Sequence, residues 1–182
     1  MFTVLGKIYK VPLLISITLA IILIALTVAK TPVAIGLIVI GTLLGTFLLD
    51  LDYYLHAYFF DGETEFAQNL KLYIRDHDYK NAISFVNTNK RFLAEKTLNS
   101  ALFQLCLAGL AFFLITARGN LFLQAFIMSA YVNSMYKYAE LYYTQQNPDS
   151  WFWIMKNKPT KQGQEAYGIL LIIIAIILLT FF

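Results

Sequence analysis

Long apolar runs broken by short polar turns dominate the chain, and only one polar segment of any size interrupts them. The first run covers residues 11–29, follows Lys7 and Lys10, and carries Pro12 where a first helical turn accepts it. It is longer than the core of a usual signal peptide, so it reads as a retained helix despite the basic start and the Thr27-Val28-Ala29 tripeptide. After the Lys30-Thr31-Pro32 turn, a second run extends over 33–49 and continues without a helix breaker to residue 60. As one helix, 33–60 would be about 42 Å long against a hydrocarbon core of roughly 30 Å. Its last third is therefore expected at the interface, where Tyr53, Tyr54 and Tyr58 suit an aromatic belt. Further runs occupy 98–117, 121–143 and 166–182.

The polar segment 61–97 has helical spacing of its own. Phe66, Leu70, Tyr73 and Ile74 form one apolar stripe, and Tyr79, Ala82, Ile83 and Val86 form another. Asp76-His77-Asp78 between them reads as a turn, with Asp78 as N-cap of the second helix. The expected architecture is an all-α integral membrane protein: one helical domain over 1–182, about five transmembrane helices, and a cytoplasmic amphipathic hairpin between the second and third.

Composition agrees. The 182 residues are 59% hydrophobic and 14% charged, far from the balance of a soluble domain. A formal net charge of +3 is too small to suggest nucleic acid. The placement of the charges says more. With five spans, twelve of the 14 Lys and Arg residues fall on the N-terminal side, and only Lys30 and Arg118 fall opposite. The positive-inside rule then puts the N-terminus in the cytoplasm and the C-terminus outside, in a plasma membrane. Candidate partners are the bilayer, a cytoplasmic protein docking on 61–97, and a second copy of the chain. The single Cys106 allows no intrachain disulfide.

Gly41 and Gly45 make a GxxxG pair in the second run, and Gly36 adds another small site for close helix packing. Asp50, Asp52 and His56 then stand where this run leaves the membrane. Asn99, Ser100 and Gln104 open the third run at the same depth, and Asn133, Lys137 and Glu140 close the fourth there. Two uses of this polar cluster follow. Lys137 can neutralise Asp50 or Asp52 and hold helices in register. Alternatively, Asp50, Asp52 and His56 are candidate ligands of a divalent metal that activates water, with Glu140 as candidate catalytic base. Asp52 and His56 share a helical face, whereas Asp50 and Asp52 diverge by about 200° unless the helix distorts near Leu51.

Leu49-Asp50-Leu51-Asp52-Tyr53 resembles the Pro-Asp-x-Asp-His element of the bacterial membrane-bound metal-dependent hydrolase family. Thr97-Leu98-Asn99-Ser100-Ala101-Leu102-Phe103 resembles that family's Thr-His-Ser-Leu-Leu-Phe element, and Tyr131 through Glu140 its later polar helix. Leu49 stands in place of the proline, and Tyr53 and Asn99 in place of histidines. The resemblance runs in order over most of 40–150. It implies shared ancestry and topology, with the metal ligands largely replaced. Two functions are compatible with these residues. One is a non-catalytic scaffold or envelope-associated interaction protein; the other is a metal-dependent hydrolase of an amphiphilic or lipid-linked substrate at the cytoplasmic leaflet. A transporter has less support, since internal repeats are lacking.

Overall fold

A computed structural model describes residues 2–28, 30–60, 62–89, 97–145 and 148–182. It is helical, with no strand among the described residues. Ala29, which ends the first expected run, and Asp61 and 90–96 of the expected 61–97 insert lie outside them.

Eight α-helices are described: α1 (Phe2–Leu26), α2 (Pro32–Gly45), α3 (Leu51–Leu55), α4 (Glu65–Arg75), α5 (Tyr79–Asn89), α6 (Ala101–Thr116), α7 (Leu121–Glu140) and α8 (Lys161–Phe181). Their starts are set by local chemistry. Thr31, Thr64, Ser100, Asn120 and Thr160 each turn a side-chain oxygen to a backbone N–H of the first turn, and Pro32 at the head of α2 has no N–H to satisfy. The ends of α4 and α6 are alike. His77 (φ 55°) and Arg118 (φ 49°) adopt the left-handed conformation, and the next residue donates back to Tyr73 O or Leu114 O. Asp78 caps α5 by accepting from Asn81 N at 3.2 Å. Asp76-His77-Asp78 is thus a helix–helix turn whose side chains are engaged separately, Asp76 by Arg75 and His77 by Tyr79.

Between α2 and α3 the chain tightens into a 3-10 turn at Leu48–Asp50, and after α3 it loosens into a π turn at His56–Phe60. The run 32–60 is therefore nearly continuous but changes pitch twice. Three helical stretches are long and apolar enough to cross a membrane: Ile8–Leu26, Pro32–Phe60 and Lys161–Phe181; Ala101–Thr116 is apolar but shorter. Their outer faces are greasy, with Leu14, Ile21, Val33, Phe113 and Ile169 all exposed.

Side-chain pairs give the helix directions. Gly41 approaches Phe122 and Gly45 approaches Phe126, so α2 and α7 run parallel. Gln104 meets Tyr167 and Phe112 meets Phe181, so α6 and α8 are parallel as well. Tyr138 reaches Gln164 and Tyr131 reaches Leu171, which makes α7 and α8 antiparallel. Helix α7 is the centre, touched by α1, α2, α6 and α8. It is also the most polar of the long helices, and its Gln124, Ser129, Asn133 and Ser134 are buried. A Cβ on Gly45 would lie 2.3 Å from Phe126 O, and one on Gly41 2.6 Å from Phe122 O, so both glycines are required by the α2–α7 contact. Gly36 takes no part in it, because nothing lies within 4 Å of its Cβ direction.

The α4–α5 hairpin has a small core of its own. Ala67, Leu70, Ala82 and Val86 pack on Tyr53 and Ala57 of the α3 segment, so the hairpin covers the bundle end that holds Asp50. The connection before α8 folds back at the same end. Trp151 and Phe152 are buried against Tyr138 and Tyr167, where the sequence pattern suggests an interfacial strip.

Candidate functional site

The 3-10 turn before Leu51 is the distortion that could let Asp50 and Asp52 converge, yet the two carboxylates go to different neighbours. Asp50 faces α7: Lys137 Nζ donates to its Oδ1 at 2.6 Å, with both side chains about one-fifth exposed. The Tyr9 phenol lies against the same carboxylate. Lys137 Nζ is also 6.0 Å from the centre of the Tyr53 ring.

Asp52 is 2% exposed and faces the chain entering α6. Its Oδ1 accepts from Thr97 N at 3.1 Å, and its Oδ2 from Asn99 N at 3.0 Å and Asn99 Nδ2 at 2.9 Å. The second Nδ2 hydrogen of Asn99 goes to Leu49 O at 3.0 Å. A buried carboxylate is tolerated when N–H donors surround it, and here three donors from one strap do so. Ser100 completes the strap, accepting from Phe103 N and donating to Thr97 O.

His56 lies one turn beyond Asp52 and stacks edge-on with Phe60 at 6.2 Å between ring centres. Among the described residues no three His, Cys, Asp or Glu side chains gather as a metal cluster. Glu140 lines the same cavity as Asp50 and Lys137. Gln104 belongs to a separate knot, where its Oε1 accepts from Trp151 Nε1 at 3.1 Å and Tyr167 Oη at 2.8 Å.

Asn133 occupies a third setting. Its Nδ2 donates to Ser129 O and Ser16 Oγ, both at 2.9 Å. Ser16 Oγ is in turn 2.6 Å from Thr46 Oγ1, and Ser129 Oγ donates to Thr42 O at 2.6 Å. These groups form a buried polar seam that joins α1, α2 and α7. Ser16, Thr42 and Thr46 were missed in the sequence, where isolated hydroxyl residues in apolar runs look incidental. Their one signal is helical spacing: Thr42 and Thr46 are four apart, on one face.

Between the seam and the hairpin lies a cavity of about 800 Å³. Its wall includes Tyr9, Asp50, Tyr53, Asn133, Lys137 and Glu140, with Ile8, Val11 and Pro12 of α1 as an apolar side. No family model, curated protein or solved structure matches the chain.

Proposed function

We propose that the chain is a five-span membrane scaffold, with the N-terminus in the cytoplasm and the C-terminus outside. The spans are α1, the 32–60 run, α6, α7 and α8, and the α4–α5 hairpin is the cytoplasmic surface offered to a protein partner. The alternating helix directions and the greasy outer faces support the spans. The basic-residue bias supports the orientation. One observation carries the scaffold reading: Asp52 is wholly engaged in tying the 97–100 strap to α3, while Asp50 ties α3 to α7 through Lys137. The residues that resemble a hydrolase motif act here as fasteners. For a metal to use them, Asp50 would have to leave Lys137, a half-buried partner, and Asp52 would have to leave Asn99, at the cost of stranding buried donors.

Two measurements test this. In a Cys106→Ser background, a cysteine replacing Lys30 should react with a membrane-impermeant maleimide on whole cells, and one replacing Asn69 should not; labelling of the second overturns the orientation. Elemental analysis of detergent-purified protein should show no stoichiometric zinc, manganese or iron. Stoichiometric metal that disappears in Asp52→Ala overturns the scaffold in favour of the hydrolase.

A further inference from the structure

Three exposed lysines, Lys156, Lys158 and Lys161, stand close together in the chain where it enters α8. Lys156 and Lys161 form no ion pair among the described residues, and Lys158 Nζ is a long 3.9 Å from Asp149 Oδ2. The acids of this stretch have other partners as well. Asp149 Oδ1 accepts from Gln164 Nε2 at 3.2 Å, and Glu165 from Tyr142 Oη at 2.7 Å. The first turn of α8 holds no acid. The hairpin differs, since Arg75 lies beside Asp76, and Glu63 and Glu65 are exposed near the start of α4.

The lysines are presented from a fixed base. Trp151 and Phe152 are buried, Met155 N donates to Phe152 O at 2.9 Å, and Gln164 Nε2 also donates to Pro159 O at 3.2 Å. Ile154 and Met155, directly before Lys156, are exposed although their two buried neighbours show that this stretch can hide apolar groups. Helix α8 runs from Lys161 to Phe181 over 21 residues, about 31 Å against a hydrocarbon core of roughly 30 Å. Crossing at that length leaves Lys161 at headgroup level. A surface that meets unpaired ammonium groups and two apolar side chains together is one with phosphates above acyl chains. In a zwitterionic leaflet each phosphate has its own ammonium; in an anionic one it does not.

We propose that residues 154–161 dock on the headgroups of anionic phospholipids, with the three lysines against the phosphates and Ile154 and Met155 in the interface. The proposal rests on α8 crossing the bilayer, as in the five-span reading, and adds the class of lipid that the head of α8 selects.

The chain's two tryptophans, Trp151 and Trp153, lie just before this segment, so their emission reports on it. Full-length protein is reconstituted in phosphatidylcholine vesicles with a minor share of lipid brominated near the headgroup, either phosphatidylglycerol or phosphatidylcholine. Quenching by brominated phosphatidylglycerol should exceed quenching by brominated phosphatidylcholine by about twofold or more. The excess should vanish at high salt and in the double variant Lys156→Gln/Lys161→Gln. Arg75→Gln/Lys80→Gln removes the same charge from the hairpin and should leave the excess in place. Loss of the excess in both double variants overturns the site in favour of diffuse attraction. Equal quenching by the two lipids overturns the headgroup preference and leaves the α8 span standing, whereas quenching by neither removes the span and the proposal together. Abolition of the excess by soluble polyglutamate at matched charge assigns the patch to an acidic protein, which also overturns the proposal.

Discussion

Lys137 Nζ and Asp50 Oδ1 are 2.6 Å apart although 87 residues separate them along the chain. The bond joins the last turn of α7 to the 3-10 turn that follows α2, and α2 and α7 are already in backbone-level contact at Gly41 and Gly45. It therefore locks the far end of an interface whose near end is locked by shape. Both side chains keep some exposure, so the pair lies between a surface ion pair and a fully desolvated one.

A double-mutant cycle with Asp50→Asn and Lys137→Met should give a coupling of about 1–2 kcal/mol, measured by reversible unfolding in mixed micelles. The double change should destabilise by less than the sum of the two single changes, the difference being that coupling. Coupling near zero would mean that the two groups are solvated independently.

Asp52→Ala removes the acceptor for three N–H groups, two of them in buried bonds from Asn99. The expected loss is roughly 3–5 kcal/mol, large enough to lower the yield of folded protein. Asp52→Asn keeps one good acceptor and should lose about half as much. Tryptophan fluorescence reports on this end of the bundle through buried Trp151. Equal losses for the alanine and asparagine variants would count against a role for the charged acceptor.

Gly45→Ala should be among the most damaging single-methyl changes in the chain. The added carbon would sit 2.3 Å from Phe126 O and 2.9 Å from Ser129 Cβ, so α2 and α7 must separate along their length. A loss of about 2–4 kcal/mol is expected. Gly36→Ala meets nothing within 4 Å and should be neutral or stabilising by up to about 1 kcal/mol, through helix propensity alone. Thermal unfolding of the pair, side by side, separates packing from propensity.

The helices were legible in the sequence because apolar runs and their caps are local signals. Thr31-Pro32, Ser100 and Asn120 mark starts within a few residues, and the stripes of 66–74 and 79–86 mark the hairpin. What depends on a partner was less legible. Periodicity places Asp50 and Asp52 on different faces, but nothing local says that one meets α7 and the other the strap before α6. Lys137 could be matched to an acid only by depth, and depth did not choose between the two. Trp151 and Phe152 look interfacial by composition; Gln104 and Tyr138 draw them inward, and no spacing in the sequence shows that pairing. Gly36 shows the converse limit. The same residue type at similar spacing is indispensable at Gly45 and idle nine residues earlier, because only the neighbour decides.

In the proposed five-span arrangement, a helix as polar as α7 at the middle of the bundle also bears on biogenesis. The outer helices can be released from a translocation channel into lipid one at a time, since each shows the bilayer a face it accepts. Helix α7 would carry Gln124, Ser129, Asn133 and Ser134 bare into hydrocarbon if it left alone. It has reason to wait at the channel until α1, α2 and α6 form a cradle around it, which makes its entry the step that commits the nascent chain to its final shape.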